Sequence, residues 1–536
     1  MIQTIICQTY GQYRILGGSL GFDKVLPIIA NNFGYGSGIF YPCLSHVFPA
    51  LLTVLFGGNI VGAVKFTHFI VYFISSITMY KLVVRVFKNK YVAMISAIFY
   101  ITFPYAITDV FTRDAFAESF IFMFIPMVVL GLYELFEGEN KRKFYPWFIV
   151  GYVGLLNSHL VMAVYVTIFI SIYILLNIKK VFTKEIFTKL CIAGVSILLI
   201  TAPFTSSLIQ HKMLKEYYVF EGDTMASIGT VRSGAWWPSE YIVQKRTDRY
   251  STVNQFMNLL ALGLTAATIK QSKKLFKDDK EKKFFKFLWI LSLLSVIMIS
   301  LCPWEILPSF MIMIQFAWRI ETFLVFGLSI LAGLALRDVN VKKLKVLWLV
   351  FILAFNMFTV SYCYIDYKFK DYNIEEVNMS YFGMGWEKEY LPLRTTKNYD
   401  YFDNRGNDIL IKSGEAQVQI IDNKVPELEA NIENALPNTK IELPRIHYLG
   451  YVATYSKENG EVLEIDTYMN DMGFMELEIP EGNGTLKLEY KGTTIANASN
   501  IISIVTILAW VGFAVYAFIV ERKNKKTNYI AEKSET

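Results

Sequence analysis

Charged residues are scarce in this 536-residue chain. Asp, Glu, Lys and Arg make up 18% of it, whereas a soluble domain averages about 25%. Hydrophobic residues make up 54%, and apolar runs near the ~20 residues that cross a bilayer recur along most of the length. The composition therefore predicts a polytopic α-helical membrane protein. The net charge of +6 requires no nucleic-acid partner, because the lysines gather in short segments between the apolar runs.

Cysteine and histidine are also scarce, with five of each. The cysteines are scattered, form no CxxC pair and stand at no His/Cys spacing that is typical of a metal site. No cofactor and no metal-ligand set are therefore predicted, and dependence on a divalent metal stays open. The first 40 residues contain neither an apolar span nor a signal peptide, which would have a basic start and an apolar centre. The cysteines are Cys7, Cys43, Cys191, Cys302 and Cys363.

Eleven membrane spans are predicted from the apolar runs. Basic clusters, such as the lysine-rich segment 270–286, fall between alternate pairs of spans, and short loops rich in Lys and Arg stay in the cytoplasm. One consistent alternation follows, with the C-terminus in the cytoplasm. The predicted spans are 59–84, 91–108, 115–136, 144–157, 160–178, 190–208, 253–269, 285–302, 318–336, 345–363 and 498–520.

This alternation divides the chain into regions. Residues 1–363 form a multi-span domain, 364–497 an extracytoplasmic domain, 498–520 a last transmembrane helix and 521–536 a cytoplasmic tail. The irregular segments of the multi-span domain gather on the outer face of the membrane. These segments are 1–58, 104–118, 209–252 and 303–317.

Period-2 alternation of apolar and polar residues appears in region 364–497 and predicts strands. Turns are predicted at Asn459-Gly460 and Gly482-Asn483-Gly484. We therefore predict a small, sandwich-like all-β domain before the last helix. It carries no histidine cluster, nucleophile elbow or phosphate loop, which favours a binding or covering role. The strands are predicted at 418–421, 462–465, 475–479 and 486–490.

The segment 103–118, between two apolar runs, is the first candidate site. It carries Asp109, Arg113, Asp114 and Glu118 within ten residues. Charges so close to hydrocarbon are costly, and membrane proteins usually keep them for a site. The alternative interpretation is that Arg113 neutralises the acids and that the group caps a helix N-terminus, where acids are favoured.

Three further residues on the predicted outer face are candidates. His159 stands at the turn between two predicted spans, where a lone histidine is often only a hydrogen-bond partner. Arg319 stands at the mouth of a span, where a guanidinium can grip a phosphate, pair with Glu321 or extend to the interface. Arg232 lies in segment 209–252, whose aromatic residues are equally typical of an interfacial helix.

Several short motifs, spread over nearly the whole chain, resemble those of bacterial YfhO-like membrane proteins. These are grouped with the 6-pyruvoyl-tetrahydropterin synthase-related membrane proteins. The glycine–aromatic run 33–42, which contains Tyr35, resembles one family motif, and 113–118 resembles a short arginine-to-glutamate motif. The other matching positions are Pro126, Ser158-His159, 315–319, 389–392, 443–445 with Tyr448, and 490–493.

The resemblance implies a fold like that of the GT-C glycosyltransferases, which use a polyprenyl-phosphate sugar at the outer face of the membrane. The expected function is transfer of a sugar to a cell-envelope glycopolymer or lipid in the bacterial plasma membrane. The leaving phosphate requires cations and the acceptor hydroxyl requires a carboxylate base. The resemblance thus makes Asp109, Asp114 and Glu118 the expected catalytic residues. The expected substrate-binding residues are Arg113, Arg319, Arg232, His159 and Tyr35.

The chain departs from the family pattern at its start. The family has an Asp and a His shortly before an Arg-Ile pair, whereas residues 7–13, before Arg14-Ile15, contain neither. The family's first helix and its acid are therefore expected to be missing, which leaves a non-catalytic scaffold for envelope assembly as an alternative. A transporter or flippase of lipid-linked precursors is another alternative, although transporters place their charges near the bilayer midplane.

Overall fold

The computed structural model describes residues 24–26, 30–111, 113, 115–221, 227–235, 261–268, 276, 278–338, 342–366 and 388–535. In these residues a helical body is joined to an antiparallel β domain. The helices are α1 Ser37–Phe40, α2 Leu44–Leu55, α3 Ile60–Phe87, α4 Lys90–Thr102, α5 Pro104–Phe111, α6 Phe116–Ser119, α7 Ile121–Glu137, α8 Phe144–Ser158, α9 Leu160–Leu175, α10 Ile178–Val181, α11 Lys184–Leu214, α12 Tyr218–Glu221, α13 Ile228–Ser233, α14 Asp279–Ser300, α15 Glu321–Ala335, α16 Lys342–Asp366, α17 Leu393–Lys397, α18 Tyr399–Asn404 and α19 Thr494–Glu535.

Six helices in the described part of the chain are long and apolar enough to cross a membrane, or seven if α4 and α5 form one bent span. Pro104 explains the 44° bend between α4 and α5, because proline holds the preceding Phe103 in an extended conformation. The predicted count of eleven spans is therefore wrong for these residues. The six are Val61–Phe87, Phe116–Glu137, Lys184–Leu214, Asp279–Ser300, Ala317–Ala335 and Thr494–Tyr516.

Two of the predicted spans are helices that are too short. The helices α8 and α9 contain 15 and 16 residues, about 23 Å of helix at 1.5 Å per residue. That is less than the ~30 Å of hydrocarbon in a bilayer. His159 lies between them in an extended conformation, so one long apolar run folds into a short hairpin. The spans predicted at 253–269 and 345–363 include side chains that lie outside the described residues.

The β domain consists of two antiparallel sheets. The four-stranded sheet has the order β1-β4-β8-β7, and the five-stranded sheet has the order β2-β3-β9-β5-β6. Side chains from both sheets form one hydrophobic core, which confirms the predicted all-β domain. The strands are β1 Leu410–Ser413, β2 Gln417–Asp422, β3 Leu428–Ala435, β4 Thr439–Ile446, β5 Tyr451–Lys457, β6 Val462–Ile465, β7 Tyr468–Met469, β8 Phe474–Ile479 and β9 Gly482–Tyr490.

A segment from the beginning of the chain completes this core. Phe33 packs edge-on against Phe474, with ring centroids 5.1 Å apart, and its carbonyl accepts a hydrogen bond from the Ile446 amide at 2.9 Å. A Cβ at Gly36 would lie 2.7 Å from the Tyr448 ring, so only glycine fits there. The glycine–aromatic run therefore serves at least as a packing segment of the β domain.

The helices α11 and α19 hold the β domain against the helical body. The Nε2 atom of His211 accepts a hydrogen bond from the Leu449 amide at 3.1 Å. Near the start of α19, the Thr493 hydroxyl donates to the Gln210 side chain at 2.6 Å. These bonds, together with the packing of α11 along α19, fix the β domain at one end of both helices.

Charged side chains lie at both ends of the candidate span Phe116–Glu137. Glu118 lies at one end, and at the other Glu134 accepts from Arg85 at 2.5 Å, while Glu137 lies 2.8 Å from Lys180. Glu137 follows Glu118 by 19 positions, which corresponds to about 28 Å along a helix. That separation is close to the thickness of bilayer hydrocarbon.

Candidate functional site

The charged segment folds back on itself between α5 and α6. After α5 the backbone turns, and the amides of Arg113 and Ala115 donate to the carbonyls of Thr108 and Asp109, both at 2.8 Å. The helix then resumes at Phe116. This turn brings the side chains of Asp109 and Glu118 to the same guanidinium.

Arg113 is the centre of the cluster. Its guanidinium bonds to Asp109 Oδ1 and to Glu118 Oε2, the latter at 3.0 Å. It also donates to the Tyr105 hydroxyl at 3.2 Å and lies 3.8 Å from the centroid of the Trp318 ring. The stacking on Trp318 adds a cation–π attraction, so this side chain, only 10% exposed, is held from several directions.

Glu118 uses both carboxylate oxygens inside the protein. Tyr105 donates to Oε1, and Arg113 donates to Oε2. The Nε atom of Arg319 also lies 3.4 Å from Oε2. A buried carboxylate is stable only if it is paired and hydrogen-bonded, and Glu118 meets that condition.

Arg319 is far from this segment in the sequence. It lies just before α15, which begins at Glu321. Its Nη1 atom donates to Gln315 Oε1 at 2.5 Å and to the Ile314 carbonyl at 3.0 Å. Gln315 has a φ of 66°, a conformation that is uncommon outside glycine and often accompanies functional sites. The Nε atom of Arg319 makes no hydrogen bond within the described chain.

Asp109 is the least satisfied member of the cluster. Its side chain is fully buried and its Oδ1 atom accepts from Arg113. Its Oδ2 atom has no hydrogen-bond partner among the described residues. A buried acceptor without a partner costs about 1–3 kcal/mol, so this oxygen lowers the free energy of unfolding of the protein.

His159 and Tyr41 adjoin the charged cluster. Their ring centroids lie 6.0 Å apart, and the rings meet edge-on. The His159 Nδ1 atom caps α9 by accepting a hydrogen bond from the Met162 amide at 3.3 Å. Burial, assisted by the positive charge of Arg319, lowers the pKa of the His159 imidazole, so it is neutral at pH 7. Burial raises the pKa of the Tyr41 phenol, and Arg319 and Glu118 both act on it electrostatically.

The structure brings together four of the residues singled out in the sequence, namely Asp109, Arg113, Glu118 and Arg319. His159 joins them through its electrostatic interactions with Glu118 and the two arginines. Asp114 lies outside the described residues.

The remaining two predicted residues lie elsewhere. Arg232 is on α13, is 59% exposed and forms an ion pair with Glu305. Tyr35 is buried in the core of the β domain, with its ring 5.4 Å from that of Tyr390. Neither position supports a role beside the carboxylates of Asp109 and Glu118.

Sequence reasoning missed three aromatic residues of this site, which are Tyr41, Tyr105 and Trp318. One signal was available, because Tyr105 stands four residues before Asp109 and therefore shares a helix face with it. Trp318 is adjacent in sequence to Arg319, yet it stacks on Arg113. Only the tertiary fold brings that pair together.

No group of three or more His, Cys, Asp or Glu side chains in the described residues is arranged to hold a metal ion. The chemistry available in this part of the chain is that of carboxylates, guanidinium groups, phenols and one imidazole.

No protein-family model, curated protein or solved structure matches the chain.

Proposed function

We propose that this protein is a GT-C-like glycosyltransferase of the bacterial plasma membrane. It takes a sugar from a polyprenyl-phosphate donor and transfers it to a cell-envelope glycopolymer or lipid. The observation that carries the proposal is the buried cluster of two carboxylates and two guanidinium groups at one end of the span Phe116–Glu137. Such a cluster beside hydrocarbon suits a ligand with a lipid tail and an anionic headgroup.

The proposed orientation in the membrane follows from the two ends of that span. The end with Glu134 and Glu137 is bordered by Arg85, Lys180 and Lys283, and basic residues between spans favour the cytoplasm. In this orientation the Glu118 cluster and the β domain face the outside, and the C-terminus is cytoplasmic.

The two arginines are the proposed phosphate ligands. A guanidinium binds phosphate oxygens with two parallel hydrogen bonds, which are stronger when both partners are charged. Arg319 is better suited than Arg113, because its Nε atom makes no hydrogen bond within the described chain and can donate to a ligand. Arg113 is already bonded to Asp109, Glu118 and Tyr105.

Asp109 is the proposed base. In the reaction the acceptor oxygen attacks the anomeric carbon of the donor, and the bond from that carbon to the phosphate oxygen breaks. Polyprenyl phosphate leaves with the bonding electrons, and the proton of the acceptor hydroxyl passes to a carboxylate. The Oδ2 atom of Asp109 has no partner in the described chain, whereas both oxygens of Glu118 are engaged. Glu118 therefore acts mainly to position the two guanidinium groups.

A deletion strain of the source organism tests this function. The glycosyl content of its envelope polymers and lipids is measured and compared with that of strains complemented by variants. We expect the deletion to lose one sugar substituent, Asp109→Asn and Arg319→Ala to leave it missing, and Arg232→Ala to restore it. An unchanged sugar content in the deletion strain contradicts the proposal.

A non-catalytic scaffold for envelope assembly is the second candidate. It is favoured by the enclosure of the cluster, since the side chains of Asp109, Arg113, Glu118 and Arg319 are all at most 12% exposed. A scaffold needs the cluster only for stability. If it is correct, Asp109→Asn will restore the sugar content fully in the same strain, whereas the transferase proposal requires that it does not.

A further inference from the structure

Two consecutive residues connect the β domain with the charged cluster. Phe40 is buried in the core of the β domain, where its ring stacks on that of Tyr390 with centroids 5.4 Å apart. The next residue, Tyr41, faces His159, and its phenol interacts electrostatically with Arg319 and Glu118. Tyr41 therefore belongs to the wall of the cluster on the side of the β domain.

Within the described part of the chain, Tyr41 and His159 each have a polar atom without a hydrogen-bond partner. Among the described residues, neither the Tyr41 hydroxyl nor the Nε2 atom of His159 has a hydrogen-bond partner, although His159 is only 8% exposed. Tyr105, on the other side of the cluster, donates to Glu118 and accepts from Arg113. Neither atom is among the fully buried polar atoms that lack a partner, so both remain accessible and can bond to a hydroxyl group of a ligand.

The hydrogen bond at the start of α9 determines what His159 can offer. Because Nδ1 accepts from the Met162 amide, that nitrogen carries no proton. A neutral imidazole then has its proton on Nε2, which is a donor. The Tyr41 hydroxyl can both donate and accept. The pair therefore presents neutral hydrogen-bonding groups beside the cationic Arg319.

We propose that Tyr41 and His159 bind hydroxyl groups of the sugar on the lipid-linked donor, while Arg319 binds its phosphate. The inference deepens the proposed function and rests on it. Neutral donors and acceptors match sugar hydroxyls, whereas guanidinium groups match a phosphate. The two rings meet edge-on with centroids 6.0 Å apart, so one sugar can contact both side chains.

The test compares two lipid probes, undecaprenyl phosphate and undecaprenyl phosphoglucose, which differ only in the sugar. Their affinities for the purified full-length protein in lipid nanodiscs are measured by native mass spectrometry. We expect Tyr41→Phe to weaken binding of the glucosylated lipid roughly three- to tenfold, the effect of one hydrogen bond, and to leave binding of the bare phosphate unchanged. Tyr468→Phe, at an exposed tyrosine of β7, is the matched control and is expected to change neither affinity.

Two further variants separate recognition of the sugar from recognition of the phosphate. His159→Asn keeps a residue that caps a helix well but removes the imidazole, and it is expected to weaken binding of the glucosylated lipid only. Arg319→Ala is expected to weaken binding of both lipids, since both carry the phosphate.

The outcomes distinguish this inference from the proposed function. If the wild-type protein binds the two lipids equally, or if Tyr41→Phe weakens both to the same degree, the sugar contact is refuted and the phosphate site stands. If the wild-type protein binds neither lipid, the proposed function itself fails. Selective loss of the glucosylated lipid in both Tyr41→Phe and His159→Asn supports the inference.

Discussion

Two buried glutamates, Glu118 in the helical body and Glu442 in the β domain, are surrounded by the same residue types. Glu442 accepts from the Tyr401 hydroxyl and from Arg405 Nε, both at 2.7 Å, and from Asn470 at 2.6 Å. Glu118 likewise has a tyrosine, Tyr105, and arginines as partners. Composition alone does not distinguish the two clusters.

The difference lies in what each cluster leaves unused. Around Glu442, the guanidinium of Arg405 also donates to the carbonyls of Gly406 and Asp408, so that cluster is internally complete. Around Glu118, Asp109 Oδ2 and Arg319 Nε have no hydrogen bond within the described chain. A stabilising cluster satisfies its own groups, whereas a binding cluster leaves groups for a ligand, and four predictions test that distinction.

The largest effect is expected for Asp109→Asn, which keeps the size of the side chain and removes its basicity. Under the proposed function, transfer of the sugar from the polyprenyl-phosphate donor by the purified protein is expected to fall about 10²- to 10⁴-fold, the usual contribution of a general base. Thermal unfolding should remain close to that of the wild type. Asp471→Asn, at a fully exposed carboxylate of the β domain, is the control. Full activity of Asp109→Asn would make the Glu118 cluster structural, like its counterpart.

Arg405→Ala tests the other side of the comparison. The substitution leaves Glu442 buried without its main cationic partner, and breaking a buried pair in this way costs about 3–5 kcal/mol. The free energy of unfolding, followed by circular dichroism of the purified chain, is expected to fall by that amount. Arg394→Ala, which removes a partly exposed ion pair with Glu216, should cost under about 1 kcal/mol. Equal losses in the two variants would contradict the structural role assigned to Glu442.

Acid is expected to weaken the β domain through His447. Burial lowers the pKa of this imidazole to about 4, whereas a histidine in an unfolded chain has a pKa of about 6.5. The unfolded state therefore binds more protons between these values, and stability falls as the pH decreases, by about 2 kcal/mol at pH 5. Thermal melts at pH 7 and pH 5 measure the loss. His447→Phe should reduce the difference, and an identical pH dependence in that variant would exclude His447 as the cause.

The smallest effect is expected for Arg232→Ala. Arg232 is exposed and paired with Glu305, and exposed ion pairs contribute about 0–1 kcal/mol. Both the melting temperature and the affinity for undecaprenyl phosphate are expected to stay near the wild-type values. Arg319→Ala, measured in parallel, is the contrast. A tenfold loss of affinity in Arg232→Ala would place this arginine in the proposed phosphate site.

The charged half of the site was predictable because its residues are rare in an apolar sequence. Asp109, Arg113 and Glu118 are neighbours along the chain, and Arg319 was recognisable at the mouth of a span. Tyr41 and Trp318 were not predictable, because aromatic residues are common throughout the chain and their position depends on tertiary packing. The resemblance to YfhO-like proteins stays a prediction.

The β domain shows the same division between local and tertiary signals. The alternating strands β2, β6, β8 and β9 were predicted, since one face of each meets polar surroundings. The strand β4 was missed because it is buried along almost its whole length and contains Pro444, so no alternation appears. Asn459-Gly460 forms the expected turn between β5 and β6, with Gly460 at a φ of 85°.

One predicted turn is wrong for a steric reason. The run Gly482-Asn483-Gly484 begins strand β9 instead of forming a turn. A Cβ at position 484 would clash with the Tyr455 ring on the neighbouring strand β5. Close packing between the strands therefore requires glycine there. Glycine in a strand can mark such an approach as well as a turn.

The adjacency of Phe40 and Tyr41 has a mechanical consequence. A single peptide unit joins a ring that is clamped among the aromatics of the sheets to a phenol that borders the carboxylates. The peptide unit fixes the distance between the two Cα atoms at about 3.8 Å, so a displacement of the sandwich that moves Phe40 also shifts the backbone of Tyr41. A ligand that displaces the sandwich would therefore change the position of that phenol relative to the carboxylates.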